Sequence, residues 1–383
     1  MKGFKFSNPV KILFGKGMIA ELSKEIADNN RVLLVYGGGS IFNNGVYEQV
    51  RDALKGYTLF EFGGIEPNPH YETCLKAIQL IRDEKIDFVL AVGGGSVIDA
   101  VKFIVAGVCY DGDPWDLILE IAPIKAAMPF GTVLTLPATG SEMNSGAVIT
   151  KVATQDKLAF GSPHCYPKFS VLDPTTTYTL PPVQTSNGIL DAFIHVTEQY
   201  LTFPQDAPLQ DRFAESILQV LVEEGGKVMK NPQHETARAN IMWAATWALN
   251  NWIAQGVDTD WATHMIGHEL TAFHGIDHGR TLAIVLPGTL DVMREYKKEK
   301  IIQMGERVFN IHQSDEQKAI DMTIQAMEDF FHSLDVPTHL SDYHIDETAI
   351  PPIVARFEER GWLLGEFERI TPAIVGEILR RRL

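Results

Sequence analysis

The sequence predicts an α/β N-terminal domain with a Rossmann-like, mostly parallel sheet, followed by an all-α C-terminal domain. In the first half of the chain, short runs of Val, Leu and Ile alternate with amphipathic stretches, which is typical of a parallel sheet buried on both faces. After Pro181-Pro182 the apolar residues recur with a helical period of about 3.6 instead. We therefore expect two domains, over residues 1–182 and 183–383.

The individual elements follow from these patterns in chain order. Short apolar runs closed by turn residues predict five strands, within RVLLVYGGGS (31–40), YTLFEFGG (57–64), DFVLAVGGGS (87–96), GTVLTLPATGS (131–141) and FSVLD (169–173). Leu75, Ile78 and Ile81 have helical spacing and predict a helix between two of these strands. Helical periods in the second half lie within 188–201, 211–230, 235–254 and 316–334.

Composition and charge exclude several classes of protein. A formal net charge of −16 argues against non-specific binding to nucleic acid or to an anionic membrane. The three cysteines, Cys74, Cys109 and Cys165, have no C-x-x-C spacing, so we expect neither a disulfide framework nor a thiolate zinc site. The N-terminus has no signal-peptide pattern, and no apolar stretch approaches the ~20 residues of a membrane helix. We expect a cytoplasmic protein without nucleic-acid or membrane partners.

Two GGGS turns, Gly37–Ser40 and Gly93–Ser96, each follow a predicted strand and precede a predicted helix. Such a junction lets backbone N–H groups and a helix N-terminus approach a phosphate, because glycine has no Cβ. In the second turn we expect Ser96 to cap the helix and Asp99 to lie in its first turn. Neither turn is the G-x-G-x-x-G fingerprint, so a tight turn with ordinary capping is the alternative. The polar segment 134–148 also follows a strand, and three such loops would line one ligand crevice.

Acidic and imidazole side chains at helical spacing indicate a metal site. Asp191 and His195 are four residues apart in a helical pattern and therefore share one face. One carboxylate with several imidazoles and no thiolate suits Fe(II), Zn(II), Ni(II) or Mn(II). Any one of these residues alone is also compatible with a core histidine or a first-turn acid.

The imidazoles are concentrated in WATHMIGHELTAFHGIDHG (261–279), which contains His264, His268, His274 and His278. His264 and His268 repeat the four-residue spacing of Asp191 and His195. Gly275 should end their helix and return the chain to His278. Spacing alone leaves open which three of the four histidines bind a metal.

Six segments, in this order, resemble the iron-containing (group III) alcohol dehydrogenases, and more narrowly their NADPH-dependent butanol dehydrogenase and broad-range aldehyde reductase branch. The segments are ILFGKG (12–17), GGIEPNP (63–69), GGGSVIDA (93–100), LPATGSE (136–142), DAFIHVTEQY (191–200) and HMIGHELTAFHGIDHG (264–279). The resemblance covers essentially the whole chain. It implies a dehydroquinate synthase-like architecture, in which a dinucleotide-binding α/β domain and a metal-binding helical domain place nucleotide and metal in the cleft between them.

The resemblance implies a role for most of the conspicuous polar residues. The metal ligands of the family correspond to Asp191, His195, His264 and His278. His268 is then the histidine that the family places near nicotinamide and substrate, and it is a candidate proton relay. His274 has no corresponding role and is expected to be structural.

The nucleotide positions also follow from the resemblance. Gly94, Gly95 and Ser96 would bind the pyrophosphate, with Asp99 near the nicotinamide. Further residues of the cofactor groove would be Asn68, Thr135, Thr139, Asn144, Gly146, Lys157 and Thr179. Many NAD-using relatives have an acidic residue after the first strand, where this chain has Gly37, followed by Gly38, Gly39 and Ser40. Without a carboxylate to repel it, a 2′-phosphate fits here, so we expect NADP(H).

The implied reaction is hydride transfer between NADPH and a small, butanal-like aldehyde. One divalent ion, Fe2+ or Zn2+, would act as Lewis acid on the carbonyl oxygen, and the coenzyme would supply the hydride. A homodimer is implied as well.

Three other functions stay open. A lyase of the dehydroquinate synthase type would need several basic residues for a phosphorylated, carboxylated sugar, whereas the motifs contain mainly Lys157 and Arg280. A glycerol dehydrogenase-like enzyme would usually prefer NAD, against which the loop Gly37–Ser40 argues. A catalytically silent nucleotide-binding protein would be expected to have lost a metal ligand, but all four positions are filled.

Overall fold

The computed structural model describes residues 1–383, which divide into two compact units. The α/β unit comprises Ser7–Leu180 and Pro232–Thr246, and the helical unit comprises Met1–Phe6, Pro181–Asn231 and Trp247–Leu383. The chain thus leaves the α/β unit at Pro181-Pro182. A single division at residue 182 does not include Met1–Phe6 in the helical unit or Pro232–Thr246 in the α/β unit. Periodicity reports local conformation and not the unit against which a segment packs.

The α/β unit contains eight strands. In chain order they are β1 (Lys11–Phe14), β2 (Arg31–Tyr36), β3 (Thr58–Phe62), β4 (Phe88–Gly94), β5 (Phe130–Leu136), β6 (Gly146–Lys151), β7 (Asp156–Gly161) and β8 (Phe169–Leu172). Six of them form one sheet in the order β1-β8-β5-β4-β2-β3, and every pairing in it is parallel. The five predicted strands are all present. β1 and the antiparallel hairpin β6–β7 were not predicted.

Helices cover both faces of this sheet. Up to Leu180 the helices of the α/β unit are α1 (Leu22–Glu25), α2 (Val46–Ala53), α3 (Tyr71–Glu84), α4 (Gly95–Val108) and α5 (Trp115–Ile118). Along β2, Leu33 and Val35 belong to the apolar core that includes α3 and α4, whereas Val32 and Leu34 belong to the core that includes α1 and α2. The predicted parallel sheet with two buried faces is therefore confirmed.

The remaining chain is helical. Its helices are α6 (Pro182–Tyr200), α7 (Pro208–Lys230), α8 (Glu235–Ala248), α9 (Ala262–His274), α10 (His278–Val292), α11 (Arg294–Val308), α12 (Glu316–Ser333), α13 (Ile350–Arg360) and α14 (Pro372–Arg380). Most of α8 lies in Pro232–Thr246 and thus in the α/β unit. None of the helices combines the length and the apolar character needed to cross a membrane.

Helix α6 is the central helix of the helical unit. Every residue from Gly188 to Tyr200 is buried, so the helix is enclosed on all sides, and it packs against α7 and α10. Any polar side chain on this stretch is consequently removed from water and needs a partner.

Candidate metal centre and nucleotide loops

Helix α6 provides two closely spaced polar groups inside the helical unit. Asp191 and His195 lie one helical turn apart, and the side chain of each is only 5% exposed. A buried carboxylate without a partner would destabilise the fold, so the groups around Asp191 decide whether its charge is compensated.

A tight connection brings further imidazoles to this face of α6. Helix α9 ends at His274 and is capped, as predicted, by Gly275, whose φ of 68° is a left-handed conformation that favours glycine. The chain then re-enters a helix at His278, the first residue of α10. A Cβ at Gly279 would lie 2.7 Å from the backbone oxygen of Asn187, so only glycine permits this approach of α10 to α6.

Three imidazoles surround one oxygen of Asp191. The distances from Asp191 Oδ1 are 3.6 Å to His195 Nδ1, 3.8 Å to His264 Nε2 and 3.5 Å to His278 Nε2. The rings of His195 and His264 are stacked with their centroids 4.5 Å apart. The four side chains predicted as metal ligands therefore converge in the structure.

The spacing of these atoms fits a metal ion better than it fits hydrogen bonding. Asp191 Oδ1, His195 Nδ1 and His264 Nε2 are buried and have no hydrogen-bond partner, a combination that costs about 1–3 kcal/mol per group. One potential ligand atom from each of the three residues lies within 4.8 Å of the others. Ligands about 2.1 Å from a tetrahedral ion are about 3.4 Å apart, close to the separations from Asp191. A divalent ion is the group that these residues fit.

The surroundings of Asp191 and His195 favour the protonation states in which these two side chains bind a metal. Burial alone would raise the pKa of Asp191, but the surrounding imidazoles, His195 first, hold it below its ordinary value, so the carboxylate is ionised. Burial lowers the pKa of His195 to about 4, which leaves its ring neutral near pH 7. An ionised carboxylate and a neutral imidazole are the forms that bind metal.

A second carboxylate, Glu198, contacts the ring of His264 on the side away from Asp191. Glu198 Oε2 is hydrogen-bonded to His264 Nδ1, and the Glu198 side chain is 2% exposed. Burial alone would lower the pKa of His264, but Glu198 and then Asp191 raise it to about 9. Near pH 7 both nitrogens of the ring are therefore protonated, and a metal ion bound at Nε2 would displace the proton there.

The other two histidines of the cluster lie in different environments. His268 is half-buried on α9, and the centroid of its ring is 5.2 Å from that of His278 and 6.3 Å from that of His264. It thus lies beside the converging ligands. His274 is the exposed last residue of α9.

The three predicted nucleotide loops follow neighbouring strands of the α/β unit. Gly37–Ser40 follows β2, Gly95 follows β4, and residues 137–145 follow β5. β4 pairs with both β2 and β5 in parallel, so the three carboxyl ends meet at one edge of the sheet. This is the edge at which open α/β sheets bind ligands.

The start of α4 differs from the prediction. Ser96 does not cap the helix, because α4 begins at Gly95 with Gly94 as N-cap and without a side-chain hydrogen bond at the cap. Asp99 consequently lies beyond the first turn. A Cβ at Gly95 would be 2.4 Å from Thr139 Oγ1, so glycine permits close packing of the loops after β4 and β5.

A fully buried lysine, Lys102, lies beneath these loops. Its Nζ donates hydrogen bonds to Ser141 Oγ at 2.7 Å, Asn144 Oδ1 at 2.8 Å and the backbone oxygen of Gly146 at 2.7 Å. Burial lowers the pKa of Lys102 to about 8. The three bonds join α4 to the loop after β5 and to β6.

Asp99 belongs to the same network. Its Oδ1 accepts a hydrogen bond from Ser141 Oγ at 2.6 Å, and its Oδ2 accepts one from the backbone N–H of Val148 at 2.9 Å. Burial raises its pKa. Both carboxylate oxygens thus have partners within the protein, so the side chain supports the loop after β5.

The remaining residues predicted to bind the nucleotide lie on several elements of the α/β unit. Asn68 has a left-handed φ of 56° in the loop after β3, and Lys157 is half-buried on β7. Thr135 is buried near the end of β5. Thr179 is exposed and follows the short helical segment Pro174–Thr177.

Two buried charged residues, one within a motif and one just after a motif, were not predicted. Glu198 lies seven residues after Asp191 and three after His195, a spacing that places it on their side of α6 and would have identified it. Lys102 lies three residues after Asp99 in an otherwise apolar helix, and an unpaired lysine is rarely buried.

Comparisons with known proteins identify the family of this chain. The family model "Iron-containing alcohol dehydrogenase" matches residues 9–174, and "Fe-containing alcohol dehydrogenase family, C-terminal" matches residues 185–383. NADPH-dependent aldehyde reductase YqhD of Escherichia coli (strain K12) is 54% identical over 375 residues, 97% of each chain. Probable NADH-dependent butanol dehydrogenase 1 of Bacillus subtilis (strain 168) is 40% identical over 389 residues, 100% of each chain.

Solved structures give the same result for the fold. The substrate- and cofactor-free form of the aldehyde reductase YqhD from E. coli superposes with a TM-score of 0.95 at 51% identity and covers 100% of both chains. NADH-dependent butanol dehydrogenase A from Thermotoga maritima has a TM-score of 0.95 at 36% identity and covers 100% of this chain and 99% of its own. The predicted fold class, an α/β part followed by a mostly helical part, is confirmed, and the chain belongs to the iron-containing alcohol dehydrogenase family.

Proposed function

We propose that this chain is a metal-dependent, NADP(H)-dependent alcohol dehydrogenase that works as an aldehyde reductase on small aldehydes. The observation on which this depends is the convergence of three imidazoles on Asp191 Oδ1, with separations of 3.5–3.8 Å. If these residues were only core histidines and a first-turn acid, their buried atoms Asp191 Oδ1, His195 Nδ1 and His264 Nε2 should have hydrogen-bond partners, and they have none.

Asp191, His195, His264 and His278 are the proposed ligands of one divalent ion, Fe2+ or Zn2+. When bound, the ion supplies Lewis-acid polarisation of the carbonyl oxygen. His278 is the most accessible of the four, with 24% of its side chain exposed, against 5–9% for the other three. The substrate is therefore proposed to approach from the His278 side.

The coenzyme is proposed to be NADP(H), which supplies the hydride. In the loop after β2, Gly38 and Ser40 are exposed, and no acidic side chain occurs between Gly37 and Ser40. Backbone N–H groups and a serine hydroxyl can hydrogen-bond a 2′-phosphate there without repulsion from a carboxylate. The similar E. coli aldehyde reductase is named NADPH-dependent, whereas the B. subtilis relative is named NADH-dependent.

Reduction of an aldehyde requires one proton as well as the hydride. His268 is proposed to deliver it from a ring nitrogen, directly or through water, because an imidazole exchanges protons near neutral pH. Its half-buried ring lies next to that of His278, so it is close to the proposed substrate position and has access to solvent. Asp99 is proposed to act near the nicotinamide as a positioning residue, since Ser141 and Val148 already occupy its two oxygens.

The enzyme is further proposed to be a cytoplasmic homodimer. Three free cysteines fit a reducing compartment. The support for a dimer is the family resemblance, and light scattering of the purified protein after size exclusion would measure the mass.

One assay tests the proposed function. NADPH oxidation is measured with butanal, with and without a chelator, and compared with NADH oxidation; elemental analysis of the same preparation identifies the metal. We expect NADPH to be the better coenzyme and the chelator to abolish activity. Full activity in protein that contains no metal would contradict the proposal, and so would a clear preference for NADH.

A further inference from the structure

The N-terminus of α9 is capped from another helix. Trp261, the N-cap residue, has a φ of 69° and makes no capping hydrogen bond with its side chain. The backbone N–H groups of Thr263 and His264 donate instead to Glu198 Oε1, at 2.6 and 3.3 Å. Glu198 lies on α6, so one carboxylate oxygen satisfies two amides in the first turn of a helix that is distant in sequence.

The second oxygen of the same carboxylate contacts an imidazole. Glu198 Oε2 is hydrogen-bonded to His264 Nδ1, and His264 Nε2 faces Asp191 Oδ1 at 3.8 Å. A histidine that donates one ring N–H to a carboxylate has its other nitrogen, with a lone pair, oriented towards a metal. The two oxygens of Glu198 thus fix both the backbone that positions His264 and the rotation of its ring.

We propose that Glu198 is a positioning residue of the metal centre, which holds His264 in the tautomer and orientation that bind the ion through Nε2. This inference rests on the proposed function, because it concerns the metal site described there. The side chains of Glu198 and His264 are 2% and 9% exposed, so water cannot easily replace the carboxylate.

Glutamine has nearly the same shape as glutamate but cannot replace it here. The carboxylate accepts hydrogen bonds through both oxygens, whereas the amide has one acceptor and one donor group. If the amide oxygen caps α9, its NH2 group faces His264 Nδ1, and the ring proton must move to Nε2, where it blocks metal binding. If the amide oxygen faces His264 Nδ1, the NH2 group points at the backbone N–H groups of Thr263 and His264, and donor then meets donor.

The test compares Zn2+ affinities of metal-free wild type, Glu198→Gln and Glu198→Asp, measured by competition with a chromophoric chelator. The matched control is Glu215→Gln, which makes the same change at a buried glutamate of the helical unit that contacts Tyr200 and Arg307 instead. We expect Glu198→Gln to weaken Zn2+ binding by about 10- to 100-fold, and the control to bind as wild type does. Aspartate keeps both acceptors but is one methylene shorter, so its affinity should lie between those of wild type and Glu198→Gln.

The absorption spectrum of bound Co2+ gives a readout that a loss of helix stability would not change. A displaced His264 should alter the ligand-field bands of Glu198→Gln, and Glu198→Asp should restore them in part. Circular dichroism verifies that each variant is folded; if Glu198→Gln is not, the affinity of Glu198→Asp decides. Wild-type affinity in folded Glu198→Gln, or in Glu198→Asp where Glu198→Gln is unfolded, overturns the inference, whereas failure of the wild type itself to bind Zn2+ overturns the proposed function.

Discussion

Asp191 and His195 occupy consecutive turns of α6, and Oδ1 of the first lies 3.6 Å from Nδ1 of the second. Both are on a helix whose residues from Gly188 to Tyr200 are all buried, so their relative position is set by the backbone and by packing. His264 is held in turn by Glu198 of the same helix. The relative positions of these side chains are therefore fixed by helix α6 and by Glu198, and several consequences can be measured.

Removal of the metal should lower thermal stability. A ligand that binds only the folded protein stabilises it by about 2.7 kcal/mol at a concentration of 100 times Kd. Without an ion, Asp191 Oδ1, His195 Nδ1 and His264 Nε2 are buried without hydrogen bonds. We expect a chelator to lower the unfolding temperature by several degrees and added Zn2+ to restore it. The chelator should not change the unfolding temperature of Asp191→Ala. If the wild type unfolds at the same temperature with and without chelator, the proposed metal site is contradicted.

Replacement of His268 should separate proton transfer from metal binding. Loss of a general acid slows catalysis by about 10²-fold or more, so His268→Ala should lower kcat for butanal reduction by this order while its metal content stays unchanged. The matched control is His274→Ala, at the exposed end of the same helix, which should keep full activity. Full kcat in His268→Ala would remove this residue from the reaction.

A carboxylate after β2 should change the coenzyme preference. A Cβ at Gly37 would be 3.4 Å from its nearest neighbour, the backbone oxygen of Ile65, so a side chain needs only a small adjustment there. Like charges brought together at a binding site cost several kcal/mol, so Gly37→Asp should lower kcat/KM for NADPH by at least about tenfold and leave that for NADH nearly unchanged. Gly37→Ala controls for the added Cβ. Equal losses for both coenzymes in Gly37→Asp would contradict the proposed position of the 2′-phosphate.

A buried ionic group in the helical unit should make stability depend on pH. Lys297 Nζ donates to Asp260 Oδ2 at 2.7 Å and to both oxygens of Glu366 at 2.9 Å, and the three side chains are 2%, 5% and 7% exposed. Burial, and then the neighbouring Asp260, raise the pKa of Glu366 to about 7. The folded protein therefore keeps this proton in a range of pH where the unfolded chain, with a glutamate pKa near 4.5, has lost it.

Because the pKa is raised on folding, the stability that Glu366 contributes is present below about pH 4.5 and is lost as pH rises to about 7. The side chain introduced by Glu366→Gln does not titrate. The free energy of unfolding should therefore fall less in this variant than in wild type over this pH range, and the two falls should differ by at most about 3 kcal/mol. Thermal or urea unfolding at several pH values measures the difference. Glu368→Gln, an exposed glutamate two residues away, is the control and should follow the wild type.

Local pattern was sufficient to predict much of the fold. Apolar runs identified β2 and β4, because a strand buried on both faces is apolar almost throughout. The helical period identified α6, because residues on one face of a helix recur every three or four positions. The spacing of Asp191 and His195 on one helix face was predictable for the same reason. The edge strand β1 and the hairpin β6–β7 have weaker apolar patterns and were not found.

Contacts between distant segments were not predictable from the residues alone. Glu198 and His264 are 66 positions apart, and Lys102 and Asn144 are 42 positions apart, so no local spacing relates them. The four clustered histidines could likewise not be assigned by spacing. The resemblance to the family indicated His264 and His278, and the structure places these two within 4 Å of Asp191.

The claim on which the account depends is that an ion held by Asp191 is needed for aldehyde reduction. Metal content and the rate of NADPH oxidation with butanal, measured on the same sample of Asp191→Ala, test it most directly. We predict that this variant retains almost no metal and is slower than wild type by about 10³-fold, since Lewis-acid stabilisation is worth several kcal/mol. A folded, metal-free Asp191→Ala protein that reduces butanal at the wild-type rate would contradict the account.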